Sequence, residues 1–152
     1  MRRLIHEERL RGVHPQLVLL AKNWIIQLPF DVLIVEGTRT NERQAQLYAQ
    51  GRTTPGPVVT MAATTADTAH GLRLVHSVPL GCAIDAVPCT GTAGQPTWQD
   101  HQALALMGNI AEDMGLVWGG TWTRFPDADH FQLADWRSFP YADASPPPES
   151  TS

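Results

Sequence analysis

The stretch Ala83-Ile84-Asp85-Ala86-Val87 sets one carboxylate inside an otherwise apolar, strand-forming run. An ionised carboxylate that is buried and unpaired is costly. Either Asp85 faces outward from the polar side of its strand, or the fold brings it a metal ion, an arginine or hydrogen-bond donors. The second choice constrains the whole chain, because those partners must come from elsewhere. The best source is Phe125-Pro126-Asp127-Ala128-Asp129-His130-Phe131-Gln132, which places two carboxylates just ahead of a histidine. Neutral imidazole is a good zinc ligand, and a nearby carboxylate can act as base on a water. The same triplet also suits a solvated turn.

A catalytic zinc site takes three protein ligands and keeps a position open for water. With Asp85 and His130 as two of them, the third comes from His6, His14, His70, His76 or His101. His101 stands beside Asp100 on a helix, where a solvated role suffices. His14 precedes Pro15 at a helix start, where capping or packing suffices. His70 and His76 both lie in the Gly/Thr-rich segment before Asp85, where a loop can deliver a ligand to a strand.

The pattern along the chain predicts an α+β fold, a small antiparallel sheet flanked by helices. Residues 3–11 read as a short helix ending at Gly12. Pro15 opens a second helix with Leu17, Leu20, Ala21, Trp24, Ile25 and Leu28 at helical spacing. Val32-Leu33-Ile34-Val35 reads as a buried strand, and Thr40 caps a third helix closed by Gly51. Residues 52–81 read as loop with short extended pieces. The strand carrying Asp85 is expected to end at Pro88. Thr97 is expected to cap a fourth helix, with Asp100 in the capping box and Leu104, Met107, Ile110, Ala111 and Met114 on one face. Val117-Trp118 and Phe131-Gln132-Leu133 supply the last strands. One domain is expected over residues 1–144, followed by a disordered Pro/Ser-rich tail at 145–152.

A net charge of -4 with 17% charged residues argues against a nucleic-acid surface. No apolar run approaches the roughly 18 residues of a membrane span. The start, Met1-Arg2-Arg3-Leu4-Ile5-His6-Glu7, does not read as a secretory signal, so synthesis in the cytoplasm is expected. Cys82 and Cys89 lack metal-site spacing and are expected to be reduced.

Three short patterns then fall in order: Thr68-Ala69-His70, Gly81-Cys82-Ala83-Ile84-Asp85 and Asp127-Ala128-Asp129-His130. Around them stand Gly12-Val13-His14-Pro15, Glu36-Gly37-Thr38-Arg39-Thr40, Gln50-Gly51-Arg52-Thr53-Thr54-Pro55-Gly56 and Trp118-Gly119-Gly120-Thr121-Trp122. Together they resemble the zinc peptidases of peptidoglycan, the VanY-like family of D-alanyl-D-alanine carboxypeptidases and phage L-alanyl-D-glutamate endolysins. The resemblance spans residues 11–137 and implies the single-domain fold that this family shares with hedgehog domains. It implies zinc held by His70, Asp85 and His130, with Asp127 as general base and Asp129 as the solvated alternative. Arg39 would bind the substrate carboxylate or stabilise the oxyanion, with Gln44 and Trp122 on the substrate side. One departure concerns the first histidine, which the family's usual spacing would put at Val78. His70 is preferred because Thr68 stands at the family's hydroxyl position; His76 is the alternative, at the tip of an inserted hairpin.

The activity implied is cleavage of the peptidoglycan stem peptide, with the L-alanyl-D-glutamate bond first. Terminal D-alanyl-D-alanine, or a non-catalytic zinc-containing binding module of the same fold, are the alternatives. A monomer acting on the wall after holin-mediated release is expected, with no nucleic-acid partner and no membrane insertion.

Overall fold

The structure, a computed structural model, describes residues 2–142. The expected tail at 145–152 lies outside the described residues. Among the described residues, eight strands and three α-helices run in the order β1 (Leu4–Ile5), α1 (Pro15–Gln27), β2 (Asp31–Glu36), α2 (Asn41–Ala49), β3 (Leu72–Val75), β4 (Val78–Gly81), β5 (Ala83–Thr90), β6 (Gln95–Pro96), α3 (His101–Asp113), β7 (Val117–Trp118) and β8 (His130–Gln132). The main sheet has the order β1-β2-β5-β8-β7, with β6 also paired to β5, and β3 and β4 form a separate hairpin. The α+β class stands as the sequence predicts. Among the described residues, no helix is long and apolar enough to cross a membrane.

Period-two alternation sorts the central strands into two faces. Ile34 pairs with Ala86 and Ile84 with Phe131, and all four are fully buried. Trp24 of α1 meets the Phe131 ring edge-on at 4.8 Å, and its indole N–H donates to the Met107 carbonyl of α3 at 3.1 Å. Each such fully buried side chain contributes on the order of 1.5–3 kcal/mol. This apolar face fixes the register, and the register turns Asp85, His130 and Gln132 to the other face.

Four local expectations are corrected. Residues 3–11 are not a helix: Leu4 and Ile5 pair in parallel with Val32 and Leu33, and a 3-10 turn follows at Glu7–Leu10. Arg3 secures this edge, donating to Asp31 and to the carbonyls of Gly91 and Thr92. One pair of the sheet is therefore parallel. The strand through Asp85 does not stop at Pro88 but runs to Thr90. The Pro88 carbonyl accepts from Thr97, so the side of Pro88 that lacks an N–H faces Thr97 and not β2. The α3 cap is Asp100, whose carboxylate accepts from the Ala103 N–H, while the Thr97 hydroxyl is used on Pro88. The α2 cap is Thr40, as predicted, accepting from Arg43.

Candidate active site

Asp85 lies opposite His130 in the β5–β8 ladder. A bulge in β2 between Ile34 and Glu36 shifts the pairing by one residue, so Glu36 and not Val35 stands opposite Asp85. Glu36, Asp85 and His130 thus form one row across three adjacent strands. The third group comes from the loop before β3. That loop is clipped to the end of β2, because the Arg39 N–H donates to the His70 carbonyl at 2.9 Å. Gly37 sits at this junction, where any Cβ would fall 2.2 Å from the Arg9 carbonyl oxygen.

The His70 ring is almost fully buried, with Nε2 3.2 Å from Asp85 Oδ1. His130 Nδ1 is 3.0 Å from the same oxygen. The three donor atoms lie within 4.8 Å of one another. The far nitrogen of each ring is also engaged. His70 Nδ1 is 2.8 Å from the Gly37 carbonyl, and His130 Nε2 is 2.8 Å from Gln132 Oε1. A carbonyl only accepts, so His70 Nδ1 must carry the hydrogen and donate it. In the neutral ring Nε2 then turns a lone pair toward a carboxylate oxygen, an arrangement that a cation between them would stabilise. The two contacts to Asp85 Oδ1, at 3.2 and 3.0 Å, are close to the roughly 3.3 Å between neighbouring ligands on a tetrahedral ion with bonds of about 2.0 Å. The outer partners fix tautomer and ring orientation, as such contacts do around metal centres. His76 lies elsewhere, exposed at the β3–β4 turn with φ 49.

Arg39 is buried and heavily used. Nε and Nη2 bond the two oxygens of Glu36 at 3.1 and 3.0 Å, and Nη1 donates to Gln44 at 2.9 Å. Nη2 is also 3.6 Å from Asp85 Oδ2. Three of its five N–H groups are thus hydrogen-bonded, the second on Nη2 is at ion-pair distance from Asp85, and the second on Nη1 has no partner among the described residues. Gln44 corrects a sequence expectation: it is fully buried, and its amide spans Arg39, the Thr60 hydroxyl and the Ala62 carbonyl. It therefore holds Arg39 and the 60–62 loop and does not face substrate.

The three donors sit in an open cleft of about 770 Å³ whose lining includes Arg39, Asp127, Asp129, Trp122, Arg124 and Arg137. Trp122 is tilted against the His130 ring with centroids 5.1 Å apart. Trp118 instead donates to the Ala128 carbonyl at 2.7 Å and packs on Gly108 of α3. The Asp127 N–H donates to the Gly119 carbonyl at 2.9 Å, where a Cβ on Gly119 would fall 2.4 Å from the Asp127 carbonyl oxygen. Carboxylate oxygens of Asp85, Asp127 and Asp129 lie within 4.8 Å of one another.

A sequence model of the family described as D-alanyl-D-alanine carboxypeptidase matches residues 76–133, which include Asp85 and His130. The peptidoglycan L-alanyl-D-glutamate endopeptidase CwlK of Bacillus subtilis is 33% identical over 108 residues, 68% of this chain and 60% of its own length. The crystal structure of the Serratia marcescens L-Ala D-Glu endopeptidase ChiX superposes with a TM-score of 0.59 at 26% identity, covering 88% of this chain and 90% of that one. The chain belongs to the VanY-like peptidase family. It spans 60% of the length of the curated relative it matches.

In this chain the carboxylates of the cleft are strongly differentiated. Burial works against charge on Asp85, but His70 and His130 outweigh it and hold its carboxyl far below the usual range. Asp129 moves the other way: burial, its hydrogen bond with Asp127 and the nearby Asp85 push it up to about 9. For His130, burial opposes protonation, yet Asp85 raises its pKa above the ordinary value. A cation held here would compete with the proton on His130. A folded-state pKa of about 9 against 3.8 for a free aspartate means that Asp129 contributes stability which is fully present below about pH 4. That contribution declines as pH rises toward 9. In metal-free protein, the thermal midpoint is therefore expected to fall more steeply between pH 5 and 9 in wild type than in Asp129→Asn. Parallel slopes would contradict this charge arrangement.

Cys82 and Cys89 are both free and buried, and burial pushes the Cys82 thiol up to about 11. Cys82, the residue that joins β4 to β5, therefore stays neutral. Three functional groups escaped the sequence: the Gly37 carbonyl, Gln132 and Glu36. Gln132 had a readable signal, because i and i+2 share one face of a strand. Glu36 lay within a recognised motif but without a role, and a backbone carbonyl leaves no trace in side-chain pattern.

Proposed function

We propose that the chain is a zinc-dependent peptidoglycan endopeptidase that cuts the stem peptide between L-Ala and D-Glu. The observation that carries this reading is the convergence of His70 Nε2, Asp85 Oδ1 and His130 Nδ1, with the His70 tautomer set by the Gly37 carbonyl. The L-alanyl-D-glutamate endopeptidases among its relatives support the choice of bond.

His70, Asp85 and His130 would hold the ion. Zinc there would act as a Lewis acid, lowering the pKa of a water and polarising a carbonyl. Asp127, at the cleft edge, takes the proton of the attacking water and passes it to the departing amine. Asp129 donates its own proton toward Asp127 and so orients that carboxylate. Arg39, fixed by Glu36 and Gln44, offers its remaining Nη1 N–H to the oxygen on which charge develops. Trp122 buttresses His130 and forms the wall on which the peptide lies.

The family description as D-alanyl-D-alanine carboxypeptidase favours a second reading, removal of terminal D-Ala. Mass spectrometry of digested peptidoglycan separates the two. A new free N-terminus on D-Glu supports the endopeptidase, and released D-Ala transfers the activity to the carboxypeptidase. As its cellular setting we propose lysis from within, the enzyme leaving the cytoplasm through a holin.

A further inference from the structure

One arrangement in the cleft wall has no part in the mechanism above. Arg137 lines the cleft with its guanidinium 4.2 Å over the Trp136 ring. The buried Arg73 lies over the same ring at 4.8 Å. Arg73 donates to the carbonyls of Phe139 and Ala66, and its Nε has no acceptor. Among the described residues, neither arginine has a carboxylate within ion-pair distance. Among the described residues, two cations thus share one indole with no carboxylate at ion-pair distance. Stacking holds the Arg137 fork in a plane while leaving its N–H groups free, which suits bidentate capture of a carboxylate. The other cleft arginines are less suited. Arg39 is held by Glu36, Asp85 and Gln44 and keeps a single Nη1 N–H, too few for a bidentate grip, and Arg124 is exposed with no hydrogen bond, ion pair or ring contact among the described residues to fix its orientation.

We propose that Arg137 binds the free carboxylate that the substrate carries on the residue following the scissile amide, and that it thereby makes the enzyme selective for non-amidated stem peptides. The inference rests on the peptidase reading. In a γ-linked D-Glu, the α-carboxylate sits on the carbon that bears the scissile nitrogen. A terminal D-Ala carries its carboxylate at the same place, so both substrates present the same chemistry. Amidation of the D-Glu carboxylate to D-isoglutamine removes the charge and replaces one acceptor oxygen by a donor.

The test compares kcat and KM of the zinc-loaded full chain on an L-Ala-γ-D-Glu tripeptide and its D-isoglutamine counterpart. N-acetyl-D-Ala-D-Ala and its C-terminal amide form the second pair. The free acid of the cleaved pair is expected to be preferred roughly tenfold to hundredfold, mainly through KM, the worth of a charge-assisted hydrogen bond. Arg137→Gln should bring that ratio close to one, and Arg137→Lys should restore only part of it. An unchanged ratio in Arg137→Gln overturns the proposal, as does a wild type that favours neither form. Collapse of the ratio in Arg124→Gln, with Arg137→Gln unaffected, overturns it as well. Affinities of the same four peptides for Asp127→Ala, measured by calorimetry, separate the two levels of the argument. If no peptide is cut, the peptidase reading fails. The acid-to-amide affinity ratio, with Arg137 intact or replaced, then still decides for or against Arg137.

Discussion

His70→Ala is expected to abolish stoichiometric zinc binding, whereas His76→Ala leaves it intact. Both histidines precede Asp85 in a segment of the right composition, and their positions in the fold separate them. His70 Nε2 lies 3.2 Å from Asp85 Oδ1, while His76 tops a hairpin turn with its side chain exposed. Losing one of three ligands should weaken zinc by more than about 100-fold, since even outer-shell losses reach that scale. His70 is also a buried side chain held by the Gly37 carbonyl, so the variant must be shown to fold in its metal-free form. Circular dichroism beside zinc titration meets that need. Loss of metal in His76→Ala with retention in His70→Ala would sink the ligand assignment.

The second large effect is expected at Asp127. Asp127→Ala should keep zinc and lose about 10²- to 10⁴-fold in turnover, the usual contribution of a general base. Asp127 stands near Asp85 and Asp129 in the cleft but outside the three-donor cluster, so removing it spares the ligands. Asp129 makes the informative comparison. Burial and its hydrogen bond with Asp127 push its carboxyl up in the metal-free cluster, which makes it the poorer proton acceptor of the two. Asp129→Asn is therefore expected to retain far more turnover than Asp127→Ala. Loss of zinc in Asp127→Ala would count against its role as base, and full activity there would pass the role to Asp129.

The residues that meet in the cleft were legible where chemistry conflicts with local pattern. Asp85 interrupts an apolar strand, and a carboxylate there needs partners. His130 and the acidic residues before it supplied candidates, and the apolar spacing of Leu17, Leu20, Ala21 and Trp24 gave α1. Legibility ended where the deciding contact is made by backbone or by distant pairing. Leu4-Ile5 was hidden among charged residues that suit a helix, and only its partners Val32 and Leu33 make it a strand. Pro88 was read as a terminator because its missing N–H is harmless only on one side of the strand, which depends on what lies there. Gln44 falls on the site side of α2, yet the 60–62 loop closes over it, and loop paths are not written in periodicity. The choice between His70 and His76 turns on the Gly37 carbonyl, which no side-chain pattern encodes.

Metal dependence of cleavage at a defined bond tests the account most directly. Purified protein is incubated with peptidoglycan, then stripped by chelator, then reloaded with zinc, and the new termini are identified at each stage. The account predicts a free N-terminus on D-Glu that vanishes with chelation and returns with zinc. Cleavage that persists in metal-free protein, or a zinc-loaded protein that opens no stem-peptide bond, would contradict it.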